Sequence, residues 1–211
     1  MKKKTFEILS DAISEVGSWQ WWDLTKDLFQ LEFCDVLLYD ETKAEKDSHT
    51  STIALRFYGN SFAVFLDNLK DNCEKKWYDR FHDDEIDIFP LIYDEFSFDD
   101  VDYAKKLLHG FKNITSLKHF NGENAFVSTK HILAAKCNDV GFVVGGDRLV
   151  VVGNKGEYTE EEIVLAAKRW WDYWRKYWIA RETKDAYKKD YACEVTIPAD
   201  RTKPRGRFYQ E

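Results

Sequence analysis

The sequence predicts an α+β protein: an antiparallel β-meander packed with helices, one of them a long C-terminal helix rich in aromatic side chains. Three observations carry this. Strand-like alternation recurs in the first third of the chain, helical spacing recurs near both ends, and hairpin-type turns occur without regular strand-helix alternation, which argues against a doubly wound sheet. At 211 residues, 44% of them hydrophobic and 16% aromatic, the chain can bury a sizeable core. A single domain is expected over residues 1–200, with any division into two lobes falling near 95–97 or at Asn121-Gly122-Glu123-Asn124. The tail 201–211, basic and broken by proline and glycine, is expected to be loosely held.

Along the chain, Phe6, Leu9, Ile13 and Val16 have helical spacing and stop at Gly17, which predicts an opening amphipathic helix. WQWW, residues 19–22, is expected to crowd a turn. Phe29, Leu31 and Phe33 then alternate with Gln30 and Glu32, as Ile53, Leu55 and Phe57 do with Ala54 and Arg56. The polar stretch DETKAEKDSHTS between these strands is expected to be mobile. Phe62, Val64 and Leu66 follow Gly59-Asn60, a signal for a tight hairpin. Cys73, Trp77 and Phe81 suggest a short helix, and Ile86 to Tyr93 an edge or bulged strand because of Pro90. Ser97 and Asp100 form a candidate capping pair for a helix carrying Leu107, Leu108 and Phe111. Ser128 is read as the cap of a helix through Ile132 and Ala135. GFVV and RLVVV flank Gly145-Gly146-Asp147, a second hairpin signal, and Gly153-Asn154-Lys155-Gly156 is a turn. Thr159 with Glu162 is a capping box opening the long aromatic helix, and CEVTI reads as a late strand.

Charge divides the chain. Residues 1–100 hold 11 Lys/Arg against 23 Asp/Glu, a balance of -12, while residues 101–211 hold 20 against 15, a balance of +5. An acidic first half disfavours direct nucleic-acid binding there, because phosphates must be neutralised before bases are read. The same surface attracts a basic protein. The start of the chain lacks a secretory pattern and no apolar run reaches the roughly 18 residues of a membrane span, so a cytoplasmic protein without a membrane segment is expected. Cys34, Cys73, Cys137 and Cys193 lie far apart, as reduced and mostly buried cysteines do.

RWWDYWRKYW, residues 169–178, holds four tryptophans and two tyrosines. At about 100° per residue, Ile163, Ala166, Ala167, Trp170, Trp174, Tyr177 and Trp178 share one stripe continued by Arg181, a core face. Trp171 and Tyr173 widen it to roughly 160°, broader than a surface helix buries, which suggests a helix packed deeply between layers with its indole N–H groups partnered at the boundary. The functional alternative is a patch of exposed aromatics, Trp171, Tyr173 and Trp178, beside Arg175 and Arg181, able to grip a partner or stack a ligand.

The densest acidic stretch, HDDEIDIFPLIYDEFSFDDVD at residues 82–102, lacks calcium-loop spacing. His82-Asp83 alone makes no phosphohydrolase site, and His49, His109, His119 and His131 show no spacing that adds to it. There is no nucleophile elbow, no phosphate-binding loop and no dinucleotide fingerprint, and His131 and Cys137 are too far apart to meet on one helix face. No cofactor or metal is expected. The preferred reading is a non-catalytic interaction protein, an inhibitor or sequestering partner of a basic nucleic-acid-processing protein. Its candidate acidic face comprises Asp83, Asp84, Glu85, Asp87, Asp94, Glu95, Asp99 and Asp100. The alternatives are a small-molecule or nucleotide pocket lined by the Trp/Arg patch, and a metal-dependent hydrolase built on Asp83, Asp84, Asp94 or Asp99. The sequence does not fix the oligomeric state.

Overall fold

The structure is a computed structural model that describes residues 1–13, 18–25, 27–42, 50–69 and 95–182, with backbone alone for 18–24, 95, 177, 178 and 180–182. The fold class is α+β, with antiparallel sheets and a long aromatic-rich helix at the C-terminal end of the described chain. The expected short helix at Cys73–Phe81, the strand around Ile86–Tyr93, the CEVTI strand and the basic tail lie outside the described residues.

Strands β1 (Ser18–Thr25), β2 (Leu28–Val36) and β3 (Ser51–Tyr58) form an antiparallel meander; β2 and β3 are two of the three strands expected to make one, whereas the third, Phe62–Leu66, belongs to a second sheet. WQWW therefore lies within a strand and not at a turn, its backbone paired along Gln30 to Phe33 of β2. The ends of the polar linker after β2 are anchored: Asp40, Thr50 and Ser51 are all buried, and the Ser51 hydroxyl donates to the Leu38 carbonyl at 2.8 Å. Residues 43–49 lie outside the described part. The sheet is completed by β9 (Arg148–Gly153) and β10 (Gly156–Glu157), giving the order β1-β2-β3-β9-β10. Asn154 and Lys155 form the turn between these last two strands.

A second five-stranded sheet has the order β5-β7-β8-β4-β6, from β4 (Phe62–Asp67), β5 (Glu95–Phe98), β6 (Asn113–Lys118), β7 (His131–Cys137) and β8 (Val140–Gly146). Both sheets thus contain strands from either side of residues 70–94. The two expected hairpins are not hairpins. Gly59-Asn60 carries the chain from β3 in the first sheet to β4 in the second, and Asp147 carries it back from β8 to β9. The two crossings lie side by side. The Asp147 amide donates to the Tyr58 and Gly59 carbonyls at 2.8 and 2.9 Å, and Asn60 Nδ2 donates to Asp147 Oδ2 at 2.8 Å. Turn residues here bend strands between sheets, as they do at the corners of sandwiches. The approach is close: a Cβ on Gly146, at the end of β8, would stand 3.0 Å from the Tyr58 carbonyl and 3.1 Å from the Phe57 Cβ of β3.

The segment expected to be a helix capped by Ser128 is strand β7. Leu133, Ala135 and Cys137 enter one core while Ile132 and Ala134 enter the other. A strand buried on both faces has no alternation, so its apolar run is indistinguishable by period from a helix segment. Ser128 instead ends a short helix, α3 (Asn124–Ser128), its hydroxyl donating to the Ala125 carbonyl at 3.2 Å.

The second sheet is the central layer. Its Ala63, Phe65, Phe142 and Val144 face a core shared with the first sheet, with α1 (Lys3–Ile13) and with α4 (Glu160–Glu182). Its Phe62, Val64, Leu66 and Val143 face a smaller core closed by α2 (Val101–Gly110) and α3. Asp100 alone caps α2, accepting from the Tyr103 amide at 2.9 Å, whereas Ser97 belongs to β5. Among the described residues no helix is long and apolar enough to cross a membrane.

Candidate interaction surfaces

Helix α4 begins as its sequence predicts. The Glu162 amide donates to Thr159 Oγ1 at 3.2 Å, and the Thr159 amide donates back to Glu162 Oε2 at 2.7 Å, a reciprocal capping box. The Thr159 amide, followed by its hydroxyl, holds the Glu162 carboxyl below its ordinary value. Glu160 is lowered likewise, first by the Lys2 amide at 3.0 Å and then by the Thr5 hydroxyl, which ties the start of α1 to the start of α4.

The buried face of α4 holds Ile163, Ala166, Ala167, Trp170 and Trp174, as the helical wheel requires. Trp171 joins them at 7% exposure and so does not stand proud of the core. It stacks on Trp170, ring centroids 6.0 Å apart, while Trp174 meets Trp170 edge-on at 5.4 Å. The wide aromatic arc exists because the helix leans into the sheet connection as well: the Tyr39 amide donates to the Ala166 carbonyl, and the Tyr39 and Tyr173 rings lie 6.2 Å apart. Tyr173 is half-buried and Arg175 is exposed. The side chains of Tyr177, Trp178 and Arg181 lie outside the described ones. One expectation fails at Trp170: its Nε1 is buried without a hydrogen-bond acceptor among the described residues, enclosed by aromatic rings on its own helix.

A polar cluster pins α4 to the first sheet. Asp40, 5% exposed, accepts from the Thr42 amide and hydroxyl through one oxygen and from Asn154 Nδ2 at 2.7 Å through the other. Burial, followed by the Asp40 charge among the raising causes, pushes the neighbouring Tyr158 phenol up from its ordinary value. Glu41 takes ion pairs from Arg169 of α4 and, at 3.2 Å, from Lys155. Arg175 pairs with Asp172 at 3.8 Å. The acidic and basic halves thus meet in part within the molecule.

Of the candidate acidic face, Asp83, Asp84, Glu85, Asp87 and Asp94 lie outside the described residues, and Glu95 contributes only its backbone in β5. Asp99 and Asp100 are exposed and adjacent at the β5–α2 junction. Both have structural partners. Asp99, held at φ 54°, accepts from the Ile132 amide at 2.9 Å through Oδ1 and faces His131 Nδ1 at 3.2 Å through Oδ2. Sequence spacing does not reveal that pair, because the residues are 32 apart and meet only through β5–β7 pairing. His109 similarly meets Glu123 at 2.8 Å, and with Lys105 lowers that exposed carboxyl, the His109 hydrogen bond acting most strongly. His131 and Cys137 occupy opposite ends of β7, about 20 Å apart at 3.3 Å per residue, so they form no dyad. Cys34 and Cys137 are free thiols. Among the described residues no three His, Cys, Asp or Glu side chains converge as a metal site. Compared with protein-family models, with curated protein sequences and with solved structures, the chain matches none of them.

Proposed function

We propose that the protein is a non-catalytic interaction protein whose acidic first half docks on a basic surface of another protein in the cytoplasm, inhibiting or sequestering a nucleic-acid-processing partner. The observation that carries this reading is the charge of residues 82–102, nine Asp or Glu with no Lys or Arg among them. Residues 70–100 alone hold 4 Lys/Arg against 11 Asp/Glu and so supply -7 of the -12 in the first half. Concentrated charge of one sign steers a partner of the other sign and suppresses like-charged competitors. Ile86, Ile88, Phe89, Leu91 and Ile92 stand among these acids and add apolar anchors to the charge. Asp99 and Asp100 have a second duty in this reading, because they also fix the β5–α2 junction. A partner that processes nucleic acid fits because its own substrate-binding face is cationic, and a polyanionic protein surface competes for it.

The test is a pull-down with the tagged full chain, eluted in a salt gradient and read by mass spectrometry. One stoichiometric basic protein released at moderate salt supports the reading. Retention that ignores salt, or no retained basic protein, contradicts it.

A further inference from the structure

The connection between β6 and α3 carries the chain's one Asn-Gly pair, Asn121-Gly122. Asn121 is exposed. Hydrogen bonds hold several of the other described asparagines: Asn60 Nδ2 donates to Asp147, Asn113 Nδ2 to Asp67 and the Leu69 carbonyl, and Asn154 Nδ2 to Asp40. Among the described residues the Asn121 carboxamide has no such partner, and the Gly122 amide donates to no carbonyl. The turn is held instead by its oxygen, the Gly122 carbonyl accepting from the Ala125 amide at 3.0 Å. Gly122 lies at φ 72°, which glycine adopts without strain, and a Cβ placed there would meet nothing within 4 Å. Every other described asparagine precedes a residue whose own Cβ crowds the following nitrogen.

We propose that Asn121 is a site of spontaneous deamidation, in which the Gly122 backbone nitrogen attacks the Asn121 side-chain carbonyl. The Gly122 nitrogen gives its proton to solvent base and bonds to Asn121 Cγ, and Asn121 Nδ2 leaves as ammonia, closing a cyclic imide. Water then adds at one of the two ring carbonyls and the C–N bond there breaks. Opening at the side-chain carbonyl gives aspartate; opening at the main-chain carbonyl gives isoaspartate, whose main chain runs through the former side chain. Nothing is oxidised or reduced, and water and its ions are the only co-reactants. Either product places a new carboxylate beside Glu123, which already holds His109 at 2.8 Å and Lys105 at 3.5 Å. Isoaspartate also lengthens the main chain between Phe120 and Phe126, whose rings lie 5.7 Å apart and both pack on Phe62. The added atom therefore strains α3 and its cover of the smaller core, and not the pairing of the sheets.

The experiment ages the full chain at near-physiological temperature, at neutral and at mildly alkaline pH. Each asparagine-containing peptide is then followed by mass spectrometry with electron-transfer fragmentation, which separates isoaspartate from aspartate. Asn121 is expected to convert at least about tenfold faster than Asn60, Asn113 or Asn154, because only its following nitrogen lacks a neighbouring Cβ. Conversion is expected to rise by up to about tenfold per pH unit, as the deprotonated fraction of the amide does, and to yield isoaspartate together with aspartate. Gly122→Ala should slow it by at least about tenfold, and Asn121→Gln, an exchange at an exposed position, should leave the site unconverted over the same period with an unchanged circular dichroism spectrum. Conversion of Asn121 no faster than that of the hydrogen-bonded asparagines, aspartate without isoaspartate, or a rate unchanged in Gly122→Ala overturns the proposal.

Discussion

Trp170 is the residue at which packing and polarity conflict. Its indole fills the space between the other aromatics of α4, yet its N–H lies buried without an acceptor among the described residues, a state that costs about 1–3 kcal/mol. Trp170→Phe removes that donor and keeps most of the ring, so its cost in urea unfolding should stay below about 1.5 kcal/mol, against about 3–5 kcal/mol for Trp174→Ala. A Phe variant as unstable as the Trp174 one would mean that the N–H is satisfied. Glu32 is a second such residue. Burial raises its carboxyl above the usual 4.5, so the folded state holds the proton more tightly than the unfolded chain. The stability linked to that proton is complete below the unfolded value and is lost as pH rises through the folded one. Glu32→Gln should therefore raise the thermal midpoint near pH 7, with the gain shrinking toward about pH 4. A gain of the same size at both pH values would contradict this account.

At the scale of elements, what was legible in the sequence was whatever depends on near neighbours. The Thr159 box, the buried face of α1 at Phe6, Leu9 and Ile13, the alternation of β2 and β3 and the buried stripe of α4 all follow from spacing along one segment. What was not legible depends on distant partners. Gly59-Asn60 and Gly145-Gly146-Asp147 have turn chemistry, but that chemistry does not say whether a strand folds back on itself or bends into a second sheet. The choice is made by β3 pairing with β9, and β4 with β8, across roughly 70 to 100 residues of chain. β7 was misread for a related reason: with a core on each side it shows no period-2 signal. The His131–Asp99 pair follows from the same ladder and was invisible with it. Gly146→Ala tests the crossing itself. Its Cβ would meet the Tyr58 carbonyl and the Phe57 Cβ of β3, neither of them the free end of a flexible side chain, so we expect a loss of about 1–3 kcal/mol and a lower thermal midpoint. A neutral substitution would show that the two sheets do not approach this closely.

For the whole molecule, the two halves of the chain are knitted together by sheets that draw strands from both, while their charges remain unlike. Part of the contrast is spent internally, where Glu41 meets Arg169 and Lys155. The larger part stays concentrated, acidic over residues 82–102 and basic in the second half of the chain. That separation is what the proposed function requires, and it is legible in the sequence because charge counts need no knowledge of the fold. Where the acids of residues 83–94 converge is not legible in the same way, since no period or spacing ties them to one face. The most direct test of the central claim is to repeat the salt-gradient retention with Asp83→Asn, Asp84→Asn, Glu85→Gln and Asp87→Asn combined. This set leaves the Asp99 and Asp100 contacts in place. The account predicts that the native chain retains a basic partner and that the neutralised chain releases it at markedly lower salt, with an unchanged circular dichroism spectrum. Equal retention by the two chains would contradict the claim that this acidic stretch is the docking surface.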